Sequence, residues 1–390
     1  MRVVIVGAGV VGACTALALR DAGLEVTVVE RDQVASGTSS RAEGNVLVSD
    51  KPPGPELDLA LDSSRRWAEL AHRVGSAATE YEPKGGLVVA TSPEALGPLQ
   101  DFAQAQRAAG VIAESVSHLQ ALEPHLARGL PGGIYYPQDA QVQPVLATVA
   151  VLREAVREGA AYRPGVEVTG ARRRPDGTLI AVTTSAGELP ADVVVNAAGT
   201  WGGRVGERLG APVPVLPRRG FLLVTEPLPP FVRHKVYSAD YVANVVASSE
   251  QLQTSCVVEG TRGGTIVIGA SRERVGFDAT MSAAIVARLA RQAVALFPRL
   301  AEVSLLRVYR GFRPYCPDHL PVIGPDPRAP GVVHACGHEG AGIGLAPATG
   351  ALVAAMLTGR APAVDPAPFR PERLIEPSDD PQDRATGATA

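Results

Sequence analysis

Charge of one sign, long apolar runs, paired cysteines and abundant aromatics are all missing from this chain. Its 37 Lys and Arg meet 40 Asp and Glu, for a formal net charge of −3. That near-balance leaves no electrostatic footprint for nucleic acid or an anionic membrane. Hydrophobic residues make up 46% of the chain, yet charge or glycine breaks them every few positions, so no membrane span is expected. Cys14, Cys256, Cys316 and Cys336 are scattered, without a Cys-x-x-Cys pair. This spacing argues against disulfides and against an iron–sulfur or zinc site of the chain's own, and leaves buried thiols as the expectation. The sequence opens directly on strand-like residues, with no room for a signal peptide, so a cytoplasmic protein is expected. No repeat of solenoid period is found.

What is present begins at once. Arg2 to Val6 is a β-branched run that ends at Gly7, and glycines recur at 9 and 12 before the Ala/Leu stretch Ala13 to Leu19. This is strand, tight turn and helix. Gly7 permits the turn, Gly9 lets backbone N–H groups approach a pyrophosphate, and Gly12 lets the helix pack closely on the strand. Gly23 ends the helix, Glu25 to Val29 reads as the second strand, and Glu30 follows where a carboxylate would accept hydrogen bonds from a ribose. Strand, helix and acid within one unit make this Gly-x-Gly-x-x-Gly a dinucleotide site.

Further along, Ser36 to Asn45 is a small, polar loop able to wrap a cofactor. Helices are expected over 56–74, 93–109, 117–126, 144–158 and 282–297, from apolar periodicity and from prolines at first turns. Strands are expected over 81–90 and 132–136, with a hairpin of 166–169 and 179–184 around Pro175-Asp176-Gly177. Val193 to Val195 form a continuous apolar run ending in Asn196-Ala197-Ala198-Gly199-Thr200-Trp201, as suits a strand buried on both faces with a cofactor across its end. Runs within 213–278 predict an antiparallel sheet, and 303–312 returns as a strand. Val332 to Cys336 predicts a strand. Gly337-His338-Glu339-Gly340-Ala341-Gly342-Ile343-Gly344 then feeds a second helix, whose N-terminus could stabilise negative charge on a ring. The last stretch, from Glu376, is expected to be disordered.

Taken together, the opening VVIVGAGVVG with Glu30, the SGTSSRAEGN loop, VVVNAAGTW, and YRGFRPYCPDHLPVIGP with ACGHEGAGIGLAPATG resemble the D-amino acid oxidase family of FAD-dependent oxidoreductases. The likeness runs from Arg2 to about Gly359. Within the group, GHEGAGIGLAPATG and SRERVGFD look most like the β-type flavin subunits of hydrogen cyanide synthase, opine oxidase and hydroxyproline dehydrogenase. The resemblance implies an α/β fold: a Rossmann-type FAD-binding domain with a second α+β substrate domain built on an antiparallel sheet. FAD-binding segments would be 1–78, 141–212 and 309–362, substrate-domain segments 79–140 and 213–308, with a C-terminal tail over 363–390.

The resemblance also implies roles. Gly7, Gly9 and Gly12 fall at the FAD pyrophosphate and Glu30 at the adenosine ribose. Ser39, Ser40, Arg41, Gly44 and Asn45 fall beside the flavin. Ala198, Gly199 and Trp201 line the cofactor strand end, and Gly342, Ile343 and Gly344 the pyrimidine edge of the flavin. Val10, Val11, Arg31, Val168, Arg310 and Gly340 complete the cofactor's surroundings. Arg313 matches an arginine that holds a substrate carboxylate, and a guanidinium fork suits that task because its two-point geometry aims the substrate C–H. A structural ion pair is the other reading of Arg313, and Arg310 is its nearest rival. His338 would touch flavin or substrate, or be a satisfied structural histidine. His319 and Asp318 read as turn residues.

Departures from the pattern count too. Val257 stands where glycine oxidase has an aromatic hydroxyl. The flavin-linking cysteine of the covalent branch aligns near Gly311, not Cys316, so FAD is expected to be non-covalent. Lysine occurs only at 51, 84 and 235, so the oxygen-activating lysine of the sarcosine oxidase branch has no counterpart in 269–278. The expected activity is oxidation of the C–N bond of a small amino or imino acid, by a dehydrogenase passing electrons to a partner. Two alternatives stand beside it: an oxidase releasing hydrogen peroxide, and a flavin subunit that works only with an iron–sulfur or second flavin subunit.

Overall fold

The computed structural model describes residues 1–240 and 251–375. The tail from Glu376 and residues 241–250 of the strand-rich region lie outside the described residues. Val3, Val4, Ile5 and Val6 are all buried, as the unbroken apolar run requires, and this places Arg2–Val6 in the middle of a sheet. It pairs in parallel with Glu25–Glu30 on one side and Val193–Asn196 on the other. Ala161–Pro164 extends the first side, Val332–Cys336 the second, and Val322–Pro325 closes the sheet as an antiparallel edge. Among the described residues five parallel strands therefore end at Val6, Glu30, Pro164, Asn196 and Cys336 on one edge, and ligands of such sheets bind beyond the carboxyl ends of the strands.

Two helices leave that edge through glycine turns, Val10–Asp21 and Gly342–Thr358. They touch closely: a Cβ on Gly350 would lie 2.7 Å from the Cys14 carbonyl oxygen. The second helix is anchored by Pro55–Val74, whose buried Trp67 donates from Nε1 to the Ile343 carbonyl at 2.9 Å. Ser63 Oγ donates to the Gly344 carbonyl at 2.5 Å.

Among the described residues the second sheet has eight strands, in the order Leu305–Tyr315, Leu216–Thr225, Ile266–Arg272, Gln253–Gly260, Lys235–Ser238, Gly86–Ala90, Gly132–Tyr136 and Glu114–Val116. All pairs are antiparallel except Lys235–Ser238 with Gly86–Ala90. Helix Ala283–Leu296 covers it, burying Ile285, Leu289, Ala293 and Leu296 at helical spacing against Phe221, Val258 and Ile268.

The differences from expectation are local. The helix expected over 117–126 is one turn, Leu119–Leu122. It stops where the buried Glu123 carboxylate accepts from the backbone N–H groups of Arg233 and His234, at 2.9 and 2.5 Å. The strand expected from 81 starts at Gly86, because Gly85 turns with φ +75° over the Tyr135 ring. The hairpin is Val168–Arg173 with Leu179–Thr184, and Gly187–Pro190 adds a third strand. The strand Leu305–Tyr315 runs unbroken across residue 309, where a new segment was expected to begin, so one strand carries the chain from the second sheet toward the first. Among the described residues no helix is long and apolar enough to cross a membrane.

Candidate active site

A cleft of ≈ 380 Å³ runs from the carboxyl edge of the parallel sheet to the second sheet. One end is lined by Gly7, Gly9, Val10, Val11, Glu30 and Arg31, and the other by Leu222, Arg313, His338, Gly340, Gly342 and Ile343. The wall between them comes from Val168, Ala198, Gly199, Trp201, Ser39 and Arg41. Phe312 gathers these segments: its carbonyl accepts from Thr38 Oγ1 at 2.8 Å and from Thr200 Oγ1 at 2.6 Å. The two glycine-rich turns, more than 300 residues apart, thus open on one elongated space.

The first end fits a dinucleotide. Gly7 has φ +111°, and a Cβ there would be 2.6 Å from the Ala197 oxygen. A Cβ on Gly12 would strike the Gly7 carbonyl, so this glycine lies behind the cleft and sets the helix close to its strand. A Cβ on Gly9 would meet only Ser39 Oγ, at 3.2 Å, so here glycine keeps the helix N-terminus open to the cleft. Ser39 Oγ accepts from Val10 N at 3.0 Å and fixes the loop against that N-terminus. Glu30 is aimed by two backbone donors, Ala8 N at 2.9 Å and Asp32 N at 3.0 Å, where a ribose would lie. Arg31 stacks on Trp201, 4.1 Å from the ring centroid.

At the other end, strand alternation separates the two candidate arginines. Arg313 lines the cleft and Arg310 does not. Arg313 Nη1 donates to the Ser271 carbonyl at 2.8 Å. Its guanidinium passes over Gly220, where a Cβ would collide with Nη1 and lie 2.5 Å from the Ser271 oxygen. Gly220→Ala is therefore expected to push Arg313 aside and cost about 1–3 kcal/mol in ligand affinity. Titration with carboxylate ligands, read by flavin absorbance, checks this. The turn carrying His338 is tied to the same strand by Glu339 N donating to the Pro314 carbonyl at 2.9 Å. Burial alone would raise the Glu339 carboxyl. The hydrogen bond from His319 and the charges of Arg218 and Arg272 outweigh it and hold the carboxyl below its usual range.

His338 is 3% exposed, and its Nε2 meets Thr349 Oγ1 at 2.9 Å. Burial pushes it down to about 3, so it is a neutral imidazole at physiological pH. Between pH 6.5 and about 3 the unfolded chain binds a proton that the folded chain excludes. The stability this site contributes is complete above pH 6.5 and is lost as pH falls toward 3. His338→Gln is expected to flatten that part of the acid-side fall in Tm, measured by thermal melts across this range.

Six expected cofactor residues lie outside the lining: Gly12, Ser40, Gly44, Asn45, Gly344 and Arg310. Gly44 and Gly344 serve packing. A Cβ on Gly44 would collide with the Val142 carbonyl, and one on Gly344 would be 3.1 Å from the Asn45 oxygen. His319 and Asp318 act in the turn as expected: His319 Nδ1 meets Glu339 Oε2 at 2.9 Å, and Asp318 pairs with Arg373 at 2.6 Å. The four cysteines are buried, and burial pushes their thiols up, out of reactive range.

Sequence reasoning passed over Glu43, which lines the cleft, and Lys51. Lys51 is buried beside Asp50, with Nζ 2.5 Å from Oδ1. It lines a second cavity of ≈ 270 Å³ that shares Arg313, His338 and Gly340 with the cleft. The signal for Glu43 was its place as the lone acid in the small, polar loop. Lys51 had none, since only the fold brings it near Arg313.

An elongated cleft across the carboxyl edge of a Rossmann-type sheet, ending against a second, mostly antiparallel sheet, defines the class of two-sheet dinucleotide-binding proteins. Residues 2–356 match the family described as DAO, FAD dependent oxidoreductase, and the chain belongs to it. It is similar to glycine oxidase from Pseudomonas aeruginosa, 31% identical over 379 residues, covering 95% of this chain and 98% of that one. It is also similar to hydrogen cyanide synthase subunit HcnC of the same species, 28% identical, covering 90% of this chain and 84% of that one. The crystal structure of glycine oxidase from Geobacillus kaustophilus matches with TM-score 0.86 at 29% identity, covering 96% of this chain and 100% of that one. L-proline dehydrogenase from P. horikoshii has the same fold, with TM-score 0.86 at 22% identity over 95% of this chain and 97% of that one.

Proposed function

We propose that this FAD-dependent oxidoreductase oxidises the C–N bond of a small amino or imino acid whose carboxylate is held by Arg313. The observation that carries the reading is the guanidinium at the inner end of the cleft, given room by Gly220 and aimed by the Ser271 carbonyl. FAD, bound non-covalently, would supply the acceptor for the hydride. Gly7, Gly9, Val10 and Val11 would hold its pyrophosphate, Glu30 its ribose, and Gly342 and Ile343 the flavin edge. Arg313 fixes the substrate at the carboxylate, and the walls of the cleft exclude water from the departing C–H. His338, being neutral, would contribute shape and a hydrogen bond but no charge.

Transfer of electrons to a partner protein is the route that the absence of lysine from 269–278 supports. Use of oxygen is favoured by two observations: the similarity to glycine oxidase over nearly the full length of both chains, and Lys51 in the cavity next to Arg313. Anaerobic flavin bleaching with glycine, sarcosine, D-amino acids, hydroxyproline isomers and opines tests the substrate class; no bleaching by any of them refutes it. Peroxide formed under air, set against dye reduced without air, decides the acceptor.

A further inference from the structure

Glu43 sits in the loop between Arg41 and Gly44, is 6% exposed, and lines the cleft. Its Oε1 is buried without a hydrogen-bond partner among the described residues. It lies against the strand Ile266–Arg272, where a Cβ on Gly269 would collide with that oxygen. A buried carboxyl without a partner costs a fold stability and is retained where a ligand completes it. The charged and titratable groups around it are Arg272, Arg313, Lys235 with its partner Glu259, and the Tyr309 phenol, from four strands of the second sheet. Arg313 and Glu43 thus offer one cation and one acid to the same end of the cleft, the complement of an amino acid zwitterion.

We propose that Glu43 binds the substrate's ammonium nitrogen and takes the proton it must lose before the C–N bond can be oxidised. This rests on the reading that the substrate is an amino or imino acid. An N–H bond of the ammonium breaks, its electron pair stays on nitrogen, and the proton forms an O–H bond on Glu43. The freed lone pair is then available to become the second C–N bond, and FAD, when bound, would supply the acceptor for the Cα–H pair that leaves as hydride. The proton on Glu43 passes to water when product departs. Burial raises the Glu43 carboxyl above its usual range, against the lowering influence of Lys235 and Arg313. A base moved toward neutral pH takes a proton from an ammonium more readily than an ordinary carboxylate does.

The test uses the holoenzyme and a substrate found by anaerobic bleaching. E43Q is expected to lower the second-order rate of flavin reduction about 10²–10³-fold at neutral pH. Its rate should then follow free neutral amine, rising about tenfold per pH unit up to the amine's own pKa, whereas the wild-type rate is flatter. A nitrogen-free carboxylate analogue should bind E43Q and wild type within about twofold, and E43D should recover part of the rate. E43Q should melt at or above the wild-type temperature, because the carboxyl burdens the fold rather than supporting it. An E43Q profile matching wild type, equal loss of affinity for the nitrogen-free analogue, or a markedly lower melting temperature overturns the proposal while leaving the functional reading standing. If no amino or imino acid bleaches the wild-type flavin, both fall.

Discussion

Arg313→Leu is expected to leave a folded, yellow protein whose affinity for carboxylate substrates falls by about 2–5 kcal/mol, roughly thirty- to several-thousand-fold. The size follows from position. Arg313 is half-buried where the cleft meets the second cavity, so a carboxylate placed there leaves water and gains a charge-assisted, two-point hydrogen bond. Without the guanidinium the same carboxylate would be desolvated with no partner. The fold should tolerate the change, since the strand around Arg313 keeps its backbone pairing with Leu216–Thr225 whatever side chain stands there. Arg313→Lys separates charge from shape: it keeps the cation and loses the fork, and should recover only part of the affinity. Ligand titration of the oxidised flavin gives the affinity and stopped-flow bleaching the rate. Wild-type values for both in the leucine variant would remove Arg313 from the site and the proposed substrate class with it.

Local chemistry made the frame of this protein readable. The opening strand, its glycine turn and Glu30 follow from sterics and hydrogen bonding within about thirty residues, and Val193–Asn196 announces burial on both faces by its unbroken valines. Alternation along Leu305–Tyr315 separated Arg313 from Arg310. Long-range packing was not readable in the same way. Gly44 and Gly344 looked like cofactor glycines because of the motifs they sit in. Their real neighbours, the Val142 carbonyl and the Asn45 backbone, are remote in sequence. Lys51 was set aside for lying far from 269–278, yet the fold brings it to the cavity that Arg272 and Arg313 share. The helix expected over 117–126 shrinks to Leu119–Leu122 for the same reason, because what stops it is a buried carboxylate claimed by Arg233 and His234. Glu43 was in view throughout, but an acid in a polar loop reads as solvated until burial shows otherwise.

Gly9→Asp should abolish flavin binding while the protein stays folded. Gly9 stands at the cap of helix Val10–Asp21, on the lining of the cleft, where the first-turn N–H groups would receive a pyrophosphate. A carboxylate on that residue would accept those N–H groups itself and stand next to the incoming phosphates. Like charges about 4 Å apart at a partly exposed site repel by about 4 kcal/mol, close to a thousandfold in affinity. The lost donors add to that figure. Gly9→Ala is the control for bulk: its Cβ has only Ser39 Oγ nearby, at 3.2 Å, a rotor that can turn away. The alanine variant should lose about tenfold at most, since the new methyl is slightly tighter than ordinary contact and Ser39 has to give by only a few tenths of an ångström. FAD per polypeptide after gel filtration, and FAD titration of the stripped protein, measure both changes. A yellow Gly9→Asp protein holding stoichiometric FAD would mean that the pyrophosphate lies elsewhere, and the first helix would then serve only to cover the sheet.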